Sequence, residues 1–132
     1  MARPESEHPT ELELEILKVL WEESPLLVRD VRARLKELAN RPLAHSSVIT
    51  MLNIMHRKGF LKRRKEGKSF WFSPALEKAS VMGRMTGDLI SRLFNGSPAA
   101  MVLNLLETAD VDAEELAEIR KFVARKTKES QQ

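Results

Sequence analysis

Apolar residues recur with helical spacing in six stretches of the chain, and a short alternating stretch separates the third from the fourth. Leu12, Ile16, Val19 and Leu20 form the stripe of a first helix that ends near Trp21–Glu23, and Thr10 three residues before Glu13 has the spacing of a capping box at its start. Ser24–Pro25 breaks this helix, and Leu26–Leu27 is long enough only for a minimal strand. Val31, Leu35 and Leu38 predict a second helix over 28–38, with Arg29, Arg32, Arg34 and Lys36 outward, ended by Asn40–Arg41–Pro42. Val48, Met51, Leu52 and Met55 recur at i, i+3, i+4 and i+7, one buried stripe on a third helix from about Ser46 to Lys58 that stops at Gly59. Its opposite side presents Ser47, Thr50, Asn53 and Arg57, flanked by Ser46 and Ile49.

The alternating stretch predicts a β-hairpin: Phe60–Lys65, a Glu66–Gly67 turn, and Lys68–Phe72, with Phe70 and Phe72 on one face and Trp71 on the other. Three helices followed by a two-stranded hairpin make a winged helix-turn-helix, assigned to 10–74 after a polar, disordered 1–9. Pro74 then opens a long helix, about Ala75 to Phe94, whose stripe is Met82, Met85, Leu89 and Leu93, widened by Val81 and Ile90. Asn95–Gly96 stops it, and Ser97–Pro98 starts a short helix to about Leu106. Asp112 with Glu115 begins a last helix carrying Leu116, Ile119, Phe122 and Val123, which frays into the terminal KTKESQQ. These three helices have broad apolar faces and no core of their own to fill. The expected fold class is therefore mainly α with a small β-hairpin, a winged helix followed by a three-helix dimerisation region over 75–127 and a disordered 128–132.

Composition sharpens this picture through charge. The net charge of the 132 residues is only +3. Between Arg29 and Phe72, however, 12 Lys/Arg face only Asp30, Glu37 and Glu66, whereas from Ser73 onward 8 basic residues balance 9 acidic ones. A basic first part beside a neutral second part points to a polyanion partner for one and a protein partner for the other. The absence of cysteine excludes disulfides, thiolate metal sites and cysteine nucleophiles. No apolar run approaches the roughly 20 residues of a membrane span and the first residues are polar, so a cytoplasmic protein without membrane insertion is expected.

Short polar side chains on a presented helix can reach base edges, and a neighbouring cationic hairpin can hold phosphates. Ser47, Ile49, Thr50 and Asn53 are thus candidate DNA contacts: Asn for adenine, Ser and Thr for base edges or phosphates, Ile49 for a thymine methyl. The bland reading is a solvated helix face, but an isoleucine exposed among polar neighbours then has little to do. Ser46 is either a contact or the cap of its own helix. Lys62, Arg63, Arg64, Lys65 and Lys68 are candidate phosphate contacts, against the alternative of an edge strand protected by charge. Arg41, Arg57 and Lys58 are additional candidates, and His45 is either a phosphate or sugar contact or a plain surface histidine. His8 and His56 have no partners at metal-ligand spacing, no cofactor is expected, and the acidic residues sit in first turns where they cap helices. No converging acid, base or nucleophile suggests an enzyme.

Taken in order, TELELEILKVLW, PLLVRDVRARL, SSVITMLNIMHRKGFLKR, the hairpin ending FWFSP, and LFNGSPAAMVLNLLE resemble the BlaI/MecI-type penicillinase repressors over about Thr10 to Lys126. The resemblance implies a homodimeric winged-helix repressor of dyad-symmetric operators with TACA/TGTA-type half-sites, usually upstream of β-lactamase or related antibiotic-resistance genes. It also implies a membrane sensor with a metalloprotease domain, whose signal leads to cleavage at an Asn–Phe bond, matched here by Asn104–Leu105. Departures from the pattern are Leu27 in place of a capping Thr or Ser, Ser46–Ser47 for a tandem Thr, Ile54 for an Arg, and Leu105 for the Phe. The family's copper-responsive branch uses a C-terminal cysteine cluster that this chain lacks. The resulting expectation is a palindrome-binding repressor that dimerises through Met82, Met85, Leu89, Leu93, Leu116, Ile119 and Val123. The alternatives are a winged helix used for protein–protein contacts, or an orphan regulator of other genes.

Overall fold

The structure is a computed structural model that describes residues 8–131; the expectation for residues 1–7 lies outside that range. Among the described residues, six helices and a three-stranded sheet follow one another: α1 (Glu11–Glu22), β1 (Leu26–Leu27), α2 (Val28–Ala39), α3 (His45–Arg57), β2 (Leu61–Glu66), β3 (Ser69–Pro74), α4 (Lys78–Leu93), α5 (Pro98–Thr108) and α6 (Ala113–Ser130). The chain divides into two compact units, one running to Thr86 and the other from Gly87 to Gln132.

In the first unit, Ile16, Leu17, Leu20, Val31, Leu35, Val48, Leu52 and Met55 from three helices close on Leu26, Leu61 and Phe72 of the sheet. The stripes read from the sequence are therefore the core, with Leu17 added. Leu38 is the exception at 58% exposed, because α2 stops at Ala39 and Asn40 turns away with φ 50, so the buried stripe ends at Leu35. The capping box is present: the Thr10 hydroxyl accepts from Glu13 N–H, and the Glu13 carboxylate accepts from Thr10 N–H at 2.9 Å. Glu13 is only 2% exposed, and its second oxygen accepts from Lys58 Nζ at 2.8 Å. One carboxylate thus ties the start of α1 to the end of α3.

The sheet has the order β1-β3-β2, all antiparallel. Glu66 pairs with Ser69, so the hairpin turn is Gly67–Lys68 and not Glu66–Gly67. Gly67 holds φ +62, the positive value that a two-residue hairpin loop requires at its first central position. Leu26 and Leu27 pair with Phe72 and Trp71, which joins the entry to α2 directly to the hairpin. At the end of α3, Gly59 at φ +87 lets Phe60 N–H reach back to Met55 O at 2.9 Å. The fourth helix begins at Lys78, later than Ala75, because the preceding backbone is engaged elsewhere: Ala75 N–H donates to Phe60 O, and Trp21 Nε1–H donates to Leu76 O at 2.8 Å.

In the second unit Ser97 caps α5 by accepting from Ala100 N–H, with Pro98 at the first helical position, and Asp112 caps α6 by accepting from Glu115 N–H. Neither α5 nor α6 has a buried residue. The fraying expected at KTKESQQ does not occur where it can be seen: α6 continues to Ser130, with Lys128 in its last turn where a cation favours the helix dipole.

Candidate nucleic-acid interface

The burial of Val48, Leu52 and Met55 fixes the rotation of α3 and leaves Ser46, Ser47, Ile49, Thr50, Asn53 and Arg57 exposed on the side away from the core. Ile49 is 37% exposed. The helix starts at His45 with Ala44 as its cap residue, and no side chain caps it. Ser46 is therefore not a cap; its hydroxyl is on the presented face. The first-turn N–H groups of α3 lack a side-chain partner, an arrangement that favours an anion such as a phosphate oxygen. Leu27 at the cap position likewise leaves α2 without a side-chain cap.

Strand alternation sorts the basic residues of the hairpin. Arg63 and Lys65 lie opposite Phe72 and Phe70 and share their face, while Arg64 lies opposite Trp71 and Lys62 opposite Ser73 on the other. The Arg63 guanidinium stacks on the Phe70 ring at 4.7 Å and donates to Asn53 Oδ1 at 3.0 Å; Lys65 Nζ lies 5.9 Å from the same ring. Arg64 pairs with Glu66 at 3.3 Å in an exposed contact. Lys62 and Lys68 are exposed.

Between the presented helix and the hairpin lies a groove of about 450 Å³, walled by Asn53, Ile49 and His45 on one side and by Arg63, Lys68 and Phe70 on the other. Its floor includes Val28 and Arg29 at the start of α2. Arg29 is a basic residue of this groove that the sequence pattern left among the solvated ones. What could have revealed it is the pairing of Leu26–Leu27 with the hairpin, which carries the first turn of α2 to the groove.

Two candidate phosphate contacts have other partners. Arg41 forms a two-pronged pair with Glu15, at 2.6 and 3.1 Å, and lies 4.0 Å from Glu11. This contact, through its hydrogen bond first, lowers the Glu15 carboxyl below its ordinary value and raises the Arg41 guanidinium. Lys58 Nζ is held by the buried Glu13 carboxylate, as described above. Both cations join helices of the first unit. Arg57 remains exposed.

The arrangement offers donors and apolar contacts to a base edge and cations to phosphates. The family described as penicillinase repressor matches residues 9–125. The penicillinase repressor of Bacillus licheniformis is 31% identical over 111 residues, covering 83% of this chain and 84% of that protein. The methicillin resistance regulatory protein MecI of Mammaliicoccus sciuri is 21% identical over 114 residues, covering 86% of this chain and 91% of that one. The solution structure of the Bacillus licheniformis BlaI monomer in complex with the blaP half-operator aligns with 27% identity over 57% of this chain and 89% of that chain, with a TM-score of 0.46. With its whole winged helix and most of its C-terminal helices inside the family match, this chain belongs to the penicillinase repressor family and is a DNA-binding transcriptional repressor, not an enzyme.

Proposed function

We propose that the chain acts as a homodimer in the cytoplasm, each protomer placing α3 in the major groove of one half of a dyad-symmetric operator with TACA/TGTA-type half-sites. The observation that carries this reading is the groove between the presented face of α3 and the basic hairpin. In this reading the exposed Ser46, Ser47, Ile49, Thr50 and Asn53 face the bases, and His45 and Lys68 of the groove, with the exposed Lys65 and Arg57, reach toward the flanking phosphates. An exposed isoleucine and hydroxyls on one helix face suit thymine methyls and base edges.

The second copy is supported by apolar residues left uncovered in one chain. Leu89 and Leu93 on α4, Leu103 and Leu105 on α5, and Leu116, Phe122 and Val123 on α6 are exposed, Leu93 to 68%. Each is already partly covered, so burying the rest contributes a fraction of the roughly 1.5–3 kcal/mol of a whole side chain. Release from DNA follows from loss of the dimer, either by loosening of these helices or by cleavage at Asn104–Leu105 under a membrane sensor-protease. That bond lies inside α5, with Asn104 O accepting from Thr108 Oγ1 at 2.7 Å, so cleavage requires α5 to open locally.

The test is an electrophoretic shift titrated against salt, with a TACA/TGTA palindrome and a scrambled duplex of equal length, joined to sedimentation of the free protein. Tighter binding to the palindrome, a steep salt response and a dimer are expected. Equal affinity for both duplexes, or a flat salt response, overturns the reading.

A further inference from the structure

Among the cations of the hairpin, Arg63 differs from its neighbours in being held on two sides. The planar guanidinium lies over Phe70 at 4.7 Å, and one of its N–H groups donates to Asn53 Oδ1 at 3.0 Å. Phe70 is itself half-buried in the sheet beside Phe72, a core residue 2% exposed, so the ring that carries Arg63 is anchored. The contact crosses from the hairpin to the presented face of α3 and reaches the one side-chain amide on that face. An Asn amide has a donor end and an acceptor end, and on an exposed helix it turns freely between them. Here the acceptor is fixed toward the hairpin.

We propose that Arg63 is a positioning residue for base recognition: by holding Oδ1 of Asn53, it turns the amide N–H groups toward the DNA and fixes the base edge to which Asn53 donates. This rests on the operator-binding reading above. The base pair selected is one that offers an acceptor in the major groove at that position, as N7 of a purine and O6 of guanine do. Lysine cannot replace arginine in this role, because an ammonium neither stacks as a plane nor holds a fixed donor direction. Arg63 then affects specificity through Asn53, while Lys62, Lys65 and Lys68 affect affinity through charge.

The test is selection from a pool of duplexes randomised over both half-sites, carried out with the wild-type protein, Arg63→Lys, Asn53→Ala, the double variant and Lys65→Ala. Arg63→Lys conserves charge and lies on an exposed strand, so the variant remains folded and keeps its electrostatic attraction. Expected is a loss of preference, about tenfold, at one base pair in each half-site, the same pair that Asn53→Ala relaxes, with no further loss in the double variant and an unchanged salt slope. Lys65→Ala should weaken all duplexes alike and lower the salt slope by about one. If Arg63→Lys keeps the wild-type preference within about twofold, or its loss adds to that of Asn53→Ala, Arg63 does not position Asn53 and the inference fails. If the wild-type protein itself enriches no common sequence, the operator-binding reading fails first and this inference with it.

Discussion

At the scale of single residues, the two carboxylates of α1 that meet cations behave differently. Glu13 is buried and serves both Thr10 N–H and Lys58 Nζ. Removing it takes away the tie between the start of α1 and Lys58, whose side chain is 26% exposed, and unseats a helix cap. Glu13→Ala should therefore cost about 2–3 kcal/mol, below the usual figure for breaking a fully buried pair, read as a lower urea midpoint at unchanged slope. Glu15 lies nearer the surface, and its pairing with Arg41 shows in pH. Because the folded carboxyl titrates below its ordinary 4.5, the pair adds stability above that value and loses it as pH falls through the lowered one. Arg41→Met should melt earlier than the wild type above pH 4.5, and the two melting curves should converge on further acidification. Neither pairing was legible in the sequence. Arg41 and Lys58 sit in a basic stretch where phosphate contact was the natural expectation, and their partners lie 26 and 45 residues away. The exposed set on α3 was legible, because burial of Val48, Leu52 and Met55 leaves a helix only one way to face. Arg63 was legible as a basic wing residue but not as the partner of Asn53, which depends on how closely the hairpin approaches the helix.

At the scale of elements, boundaries were legible wherever a local device sets them, as with the capping box of α1, Ser97–Pro98 before α5 and Asp112 before α6. They shifted where a distant contact intervenes. The late start of α4 depends on Phe60 O and on the Trp21 indole, both far from it in sequence. The hairpin turn moved by one residue because Gly67 takes the first central position. A side chain at φ +62 is strained, and the space around Gly67 is open, so Gly67→Val should destabilise through the backbone alone, by about 1 kcal/mol. The measurable result is weaker binding to all duplexes through a looser wing, read in the same electrophoretic shift.

For the whole molecule, the determining contrast is between a first unit with a closed core and three C-terminal helices rich in uncovered apolar residues. Leu93→Glu, on the most exposed of these residues, should shift the protein to a monomer in sedimentation and leave the melting of the winged helix unchanged. Affinity for a palindrome should then fall by about 10²–10⁴, since the second half-site no longer binds intramolecularly. Affinity for a single half-site should stay the same.

The two-residue strand β1 is the smallest element of the fold, yet it stitches the entry to α2 onto the hairpin, and the hairpin is bound in turn to α3 through Arg63. The groove is thus framed like a caliper whose jaws are set before DNA arrives. A caliper measures width. Operators whose groove dimensions match the gap should be favoured over sequences that offer the same base edges on a stiffer or differently shaped duplex, so flanking steps that no side chain touches are expected to tune affinity. Substitution of those flanking steps, with the half-sites held constant, is expected to change binding by the energy of bending the duplex to fit, and a wing loosened at Gly67 should blunt that dependence.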